Sequence, residues 1–310
     1  LHQLLHRLLA DTLQRAERVA YRMPLGGRLD RELGLARIDA GRQAGDNSWQ
    51  GARLSIQRGE KIVALTAYDY TFARIVDESG VDLILVGDSV GQIIAGHDST
   101  LPVTIEDMIY HGRAVRRAVK RAIVVVDMPF MSFQVSPEET LRNAGRIMKE
   151  TGAEAVKLEG GDEVAAEHVR MLVRAGIPVL GHIGLTPQSV HVLGGFRVQG
   201  REAAAADRLR EDAGRLEAAG AFGVVLELVP AVLAGEITRM VSIPTIGIGA
   251  GGDVDGQVLV LYDMLGLNES FVPRFLRQFS TLGADSRKGI AEYTDAVRSG
   301  SFPAPEHTFE

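Results

Sequence analysis

Residues 123–159 read IVVVDMPF-MSFQVSPEET-LRNAGRIMKE-TGAEAVKLE. The stretch opens on Ile123–Val126, a β-branched run too short for a helix and apolar at every position, as in a strand buried on both faces. Next comes Ser136-Pro137-Glu138-Glu139. It combines an N-cap serine, a proline at the first helical position and a glutamate three residues after the cap. Leu141, Ala144, Ile147 and Met148 then mark one apolar helix face. Gly152 stops the helix, and Ala155–Leu158 is a second buried run. Strand, helix and strand in this order imply a parallel sheet.

The same unit repeats outward in both directions. Apolar runs fall at Ile62–Thr66, Leu83–Val86, Val179–His182, Val224–Leu228, Thr245–Ile248 and Val258–Leu261, which with the two above makes eight. Thr104 with Asp107, and Thr186-Pro187, are further helix-start signals, and Gly80, Gly176 and Gly220 are further stops. Eight such units suit a closed (β/α)8 TIM barrel better than an open sheet. The seventh and eighth runs lie too close for a long helix between them. The tail from Pro273 to Val297 reads as a helix packed outside the barrel.

Bulk properties bound the function. The 310 residues are 45% apolar, enough for a full core. A formal net charge of −6 gives no reason to expect a nucleic-acid partner. With no cysteine, disulfides, thiolate nucleophiles and cysteine-type zinc sites are excluded. No apolar run approaches the roughly 20 residues needed to cross a membrane. Leu1–Gln50 differs in composition, with eight arginines, no lysine and six acidic residues. Transit peptides are poor in acidic residues. Residues 1–52 therefore read as an N-terminal extension, poorly ordered or partly helical, before a barrel domain at 53–310, and the expected location is the cytoplasm.

In such a barrel the active site forms at the C-terminal ends of the strands. The second run leads into Asp88-Ser89, the third into Asp127, the fourth into Lys157-Leu-Glu159, the fifth into His182 and the sixth into Glu227. A single Asp after a strand is usually a turn former. Four carboxylates, a lysine and a histidine converging on one mouth are costly to bury without a use; a structural ion-pair network is the alternative. Lys157 and Glu159 are two apart, so their side chains share a strand face. Asp88, Asp127 and Glu159 are hard oxygen donors, which favours Mg2+ over zinc. A 2-oxo acid fits open positions on such an ion, which would stabilise an enolate as a proton leaves the neighbouring carbon. Glu227 is left over on the far side as a general base, its pKa needing to be raised by burial. Lys157 would hold the substrate carboxylate or balance the enolate charge. Gly247-Ile-Gly-Ala-Gly-Gly252 matches the dinucleotide-binding glycine pattern but opens no long helix, and reads as a tight turn at the mouth.

These residues sit in stretches that resemble the ketopantoate hydroxymethyltransferase family. The stretches are TAYD (66–69), VGDS (86–89), GHDSTLPVT (96–104), DMPF (127–130), VKLEGG (156–161), GHIGLTPQS (181–189), GGFRVQGR (194–201), IGIGAG (246–251) and DGQ (255–257). The resemblance begins near Lys61 and runs to the end of the chain. It implies a barrel of the phosphoenolpyruvate/pyruvate type. The activity implied is transfer of a hydroxymethyl group from 5,10-methylenetetrahydrofolate to 3-methyl-2-oxobutanoate, giving 2-dehydropantoate for coenzyme A synthesis. It also implies a homo-oligomer, decamers being frequent. By motif, the metal ligands are Asp88 and Asp127, with Glu159 joining directly or through water. Asp88, Ser89, Asp127 and Lys157 are the substrate contacts and Glu227 the proton acceptor. Lys157 and His182 complete the catalytic set, His182 without a fixed role.

Three other readings stand beside this one. A Mg2+-dependent carbon–carbon lyase or mutase of the same barrel type would share the 2-oxo acid but not the folate. A Schiff-base aldolase would use Lys157 as its nucleophile without metal. A non-catalytic barrel would bind ligand without turnover.

Overall fold

The computed structural model describes residues 60–269 and 272–309; the expected extension at 1–52 lies outside them. Eight parallel strands close in sequence order into a barrel. They are β1 Ile62–Thr66, β2 Leu83–Val86, β3 Ile123–Asp127, β4 Ala155–Glu159, β5 Val179–Gly184, β6 Gly223–Glu227, β7 Thr245–Ile248 and β8 Gly256–Leu259. β8 begins two residues before the expected apolar run. Gly256 opens it because a Cβ there would lie 2.6 Å from the Ile62 carbonyl oxygen, so only glycine lets β8 approach β1.

Side chains alternate between two cores, as the period of two requires. Ile62, Ala64, Leu83, Leu85, Ile123, Val125, Ala155, Leu180, Val225, Ile246 and Val258 fill the barrel. The intervening residues, such as Val124, Val126, Val156, Leu158 and Val224, pack outward against the helices. This explains why the strands read as unbroken apolar runs.

The helical layer comprises α1 Tyr70–Glu78, the one-turn α2 Val90–Ile93, α3 Ile105–Ala118, α4 Pro137–Thr151, α5 Glu163–Arg174, α6 Ala203–Ala219, α7 Ala231–Met240, the short α8 Leu261–Met264 and α9 Leu282–Ser299. Ser136 caps α4 through the Glu139 N–H, and Thr104 with Asp107 forms a reciprocal capping box on α3. α4 and α6 end on glycines in the left-handed region, Gly152 and Gly220. Two expectations are corrected. Thr186-Pro187 starts only a 3-10 turn, Pro187–Ser189, and the helix after β5 begins at Ala203. β7 and β8 are joined by the glycine turn with no helix, in agreement with the close spacing of the two runs. Residues 273–281 are not helical, because the N–H groups of Phe279 and Leu282 bond the carbonyls of Met264 and Leu265 at the end of α8.

Candidate active site

The barrel interior is apolar until the last interior positions of β3 to β6, where the alternation brings Asp127, Lys157, Glu159, His182 and Glu227 to the mouth. Register stacks them: Asp127 is level with Lys157, and Glu159 with His182. At the end of β2 the interior position is Gly87. A Cβ there would sit 2.8 Å from Ser89 Oγ and 3.6 Å from Asp127 Oδ2, so glycine keeps the space above them open.

Asp88, Asp127, Lys157, Glu159 and His182 are all buried. Lys157 Nζ stands 2.7 Å from Asp127 Oδ1. The lysine thus pairs with the neighbouring strand rather than with Glu159 two residues on. Burial alone would pull the Lys157 ammonium down, but Asp127, Asp88 and Glu159 outweigh it and hold it above the ordinary lysine range. His182 lies between two carboxylates, with Nδ1 3.5 Å from Glu159 Oε1 and Nε2 3.2 Å from Glu227 Oε2. Burial opposes its protonation, yet those two neighbours raise the imidazole to about 9. Glu227 is therefore not set apart on a far side, as the sequence suggested, but joined to Glu159 through His182.

Glu227 is rigidly placed. Leu228, next in the chain, has φ +47°, a left-handed conformation that a leucine adopts only when its surroundings impose it. Its N–H bonds the Ile248 carbonyl and its carbonyl accepts from Gln199 N–H. Gly184 has φ +95°, and a Cβ on it would lie 2.2 Å from the Glu227 carbonyl oxygen. The glycine turn after β7 also reaches this corner, where a Cβ at Gly249 would meet Leu228 Cδ2 at 2.8 Å.

The three hard-donor carboxylates share one pattern. One oxygen of each is tied by a nitrogen donor: Asp127 Oδ2 by Asp88 N–H at 3.0 Å, Glu159 Oε2 by Gln188 N–H at 3.0 Å, and Asp88 Oδ2 by Gln188 Nε2 at 2.9 Å. Among the described residues nothing donates a hydrogen bond of proper geometry to Asp127 Oδ1 or Glu159 Oε1, although Lys157 and His182 stand close. Burial, and repulsion from Asp127 and Glu159, push the Asp88 carboxyl up to about 8. Four carboxyl groups are thus gathered around one lysine and one histidine, an excess of acidic over basic groups. Among the described residues no three acidic or histidine side chains close to ligand spacing around one point. Magnesium does not require that, since it binds through one or two carboxylates and keeps several waters. Buried carboxylate oxygens without a hydrogen bond of proper geometry, hard donors and an excess of acidic groups therefore fit a magnesium-type ion.

All seven residues singled out from sequence reach this mouth; Ser89 joins through its hydroxyl, 2.8 Å from Tyr68 Oη. Two participants escaped sequence reasoning, Tyr68 and Gln188. Both lie in the quoted motifs, but neither is charged at neutral pH, and Tyr68 is held further from ionisation mainly by burial.

Solved structures of similar shape share the fold. A phosphonopyruvate hydrolase solved with oxalate and Mg2+ superposes with a TM-score of 0.55 over 83% of this chain and 92% of its own, at 10% identity. A 2,3-dimethylmalate lyase of the PEP mutase/isocitrate lyase superfamily superposes with a TM-score of 0.53 over 84% and 91%, at 14% identity. The barrel thus has the fold of that superfamily. The family model for ketopantoate hydroxymethyltransferase matches residues 50–305. The 3-methyl-2-oxobutanoate hydroxymethyltransferase of Syntrophotalea carbinolica is 56% identical over 260 residues, 83% of this chain and 97% of its own. That of Flavobacterium johnsoniae is 57% identical over 245 residues, 79% and 90%. The chain belongs to the ketopantoate hydroxymethyltransferase family, enzymes of the pantothenate pathway.

Proposed function

We propose that residues 53–310 form the catalytic unit, which transfers a hydroxymethyl group from 5,10-methylenetetrahydrofolate to 3-methyl-2-oxobutanoate through an enolate, with Mg2+ as cofactor. The observation that carries this reading is the set of three buried carboxylates, each tied at one oxygen by a nitrogen donor, with Asp127 Oδ1 and Glu159 Oε1 accepting no hydrogen bond of proper geometry among the described residues. Asp88 and Asp127 would hold the cation, with Glu159 joining directly or through water. When bound, the cation supplies Lewis-acid stabilisation of the charge that builds on the keto oxygen. The phosphonopyruvate hydrolase of the same fold, solved with Mg2+ and the small dianion oxalate, is consistent with this pairing.

The protein's own groups divide the rest of the work. Ser89, its hydroxyl fixed by Tyr68, and Lys157 orient the oxo acid. Glu227 accepts the proton from C3, and His182, with Nε2 3.2 Å from Glu227 Oε2, lies beside it. The C3 carbanion forms the new carbon–carbon bond to the methylene carbon of the folate, whose two C–N bonds break; one water supplies the hydroxyl, and tetrahydrofolate leaves with the proton taken from C3 and the second proton of that water on its two nitrogens. A Schiff-base aldolase would need Lys157 as a neutral amine, whereas three carboxylates hold it charged. The lyase or mutase alternative rests on fold alone, at 10–14% identity in the two structures above, against relatives above half identity.

Action in the cytoplasm and assembly into a homo-oligomer, as large as a decamer, belong to the same reading. Among the described residues no helix is long and apolar enough to cross a membrane. Ile290, Tyr293 and Val297 stand exposed on α9, a surface of the kind that a second subunit covers.

The test is hydrogen–deuterium exchange at C3 of 3-methyl-2-oxobutanoate in deuterated water, with Mg2+, with chelator, and with Glu227→Gln. Exchange that needs Mg2+ and Glu227, followed by 2-dehydropantoate on adding methylenetetrahydrofolate, is the expected result. Exchange without product would point to another electrophile. No exchange from intact protein would sink the enolate route and favour the non-catalytic barrel.

A further inference from the structure

Gln188 is a buried neutral residue in the 3-10 turn after β5, and it contacts three other strand ends at once. Its Nε2 donates to Asp88 Oδ2 at 2.9 Å and to the Met128 carbonyl at 3.0 Å, and its backbone N–H donates to Glu159 Oε2 at 3.0 Å. The orientation of the amide follows from its neighbours. Asp88 Oδ2 and the Met128 carbonyl are acceptors, so a flipped amide would set oxygen against two oxygens. On the other side Gln134 Nε2 donates to Gln188 Oε1 at 3.2 Å. The turn is itself pinned: Leu185 N–H bonds the Glu227 carbonyl at 2.8 Å, and Ser189 N–H bonds the Thr186 carbonyl at 2.8 Å.

We propose that Gln188 is the positioning residue of the carboxylate cluster, tying Asp88 and Glu159 by one oxygen each so that their other oxygens are presented together to the cation. The inference rests on reading Asp88, Asp127 and Glu159 as the cation's ligands. The physical reason is that like-charged carboxylates side by side repel and turn apart unless donors hold them. Gln188 supplies two of the three ties described above, and being neutral it leaves the cluster's negative charge intact for the cation. A charged donor at the same place would compete with the cation.

The experiment is calorimetric titration of the full chain with MgCl2 alone, with circular dichroism to establish folding. Gln188→Met keeps the side-chain length and removes both amide donors. The Kd for Mg2+ is expected to rise on the order of 10- to 100-fold, as when groups that orient ligands are lost. C3 exchange should fall at subsaturating Mg2+ and recover at saturation, which a general loss of structure would not produce. A Kd within about twofold of the parent protein, in a folded variant, overturns the proposal. Gln134→Leu lies one step removed and frees the Gln188 amide to rotate; it should weaken Mg2+ binding in the same direction by a smaller factor. If Gln188→Met does not fold, unchanged Mg2+ affinity in Gln134→Leu overturns the proposal on its own. A parent protein that takes up no Mg2+ defeats the cation reading itself, whereas equal uptake by parent and Gln188→Met defeats the tether alone.

Discussion

The two ends of this barrel use the same residue types for opposite purposes. At the end where the strands begin, acidic side chains saturate backbone donors. Asp77 accepts from the N–H groups of Lys120, Arg121 and Ala122, Asp82 from Val63, Glu154 from Val124, and Asp255 from Thr245. Each closes a loop onto a strand that would otherwise carry unpaired N–H groups. At the end where the strands finish, Asp127 Oδ1 and Glu159 Oε1 are buried and, among the described residues, accept no hydrogen bond of proper geometry. An acidic residue beside a strand thus serves the fold where its oxygens are satisfied, and under the proposed function it serves a ligand where they are not. A buried polar atom left unpaired costs about 1–3 kcal/mol, so an enzyme keeps such atoms only where something else binds them.

The comparison breaks most visibly in activity. Glu227→Gln should slow C3 exchange by about 10²–10⁴-fold while shifting the thermal midpoint less than Asp77→Asn does. The reverse ranking, read by melting and exchange side by side, would show the mouth to be structural. Next in size is the response to metal. Mg2+ at 100 times its Kd should stabilise the protein by about 2.7 kcal/mol. Differential scanning calorimetry should find that gain in Asp77→Asn and miss it in Asp127→Asn. Equal gains in both variants would place the ion elsewhere.

Much of this was legible in the sequence, for identifiable reasons. Strands buried on both faces leave apolar runs, so all eight could be placed within two residues. The period of two put Lys157 and Glu159 on one face. Partnership was not legible, because it depends on register. Lys157 meets Asp127 since those two are level between β3 and β4, and His182 reaches both Glu159 and Glu227 only because β4, β5 and β6 are neighbours in the closed sheet. Gln188 was invisible for a related reason. It has no charge to draw attention, and it acts on Asp88 one hundred positions away. The tail misled because Phe275, Leu276 and Phe279 mimic helical spacing, whereas the N–H groups of Phe279 and Leu282 are taken by α8.

At the opposite end the expected change is in stability alone. Asp77→Asn keeps the shape but replaces one acceptor oxygen with a donor amide facing backbone N–H groups that are already donors. The loss should be about 2 kcal/mol, read from urea unfolding. The exchange rate per folded molecule should not move. A fall in that rate larger than the fall in folded fraction would mean that the loop before β3 communicates with the mouth, and the division between ends would fail.

The smallest effect sharpens the rule, because it comes from an acid on the mouth side that is nevertheless satisfied. Asp107 lies in the first turn of α3, which starts from the mouth side of the barrel after β2. Its Oδ2 accepts from Thr104 Oγ1 at 2.6 Å and from Thr104 N–H at 2.9 Å. These bonds, the hydroxyl first, hold the carboxyl below the ordinary aspartate range. A lowered pKa in the folded state means that ionised Asp107 contributes stability above the unfolded value of about 4. That contribution is lost as pH falls through the lowered folded value. Asp107→Asn should therefore cost about 0.5 kcal/mol at neutral pH, the scale of a charge at an exposed helix N-terminus. The difference should be the same at pH 7 and pH 6, shrink with added salt, and vanish in acid once both states are protonated. C3 exchange should be unaffected throughout. If exchange fell instead, position along the barrel axis, rather than hydrogen-bond satisfaction, would decide which acids belong to the site.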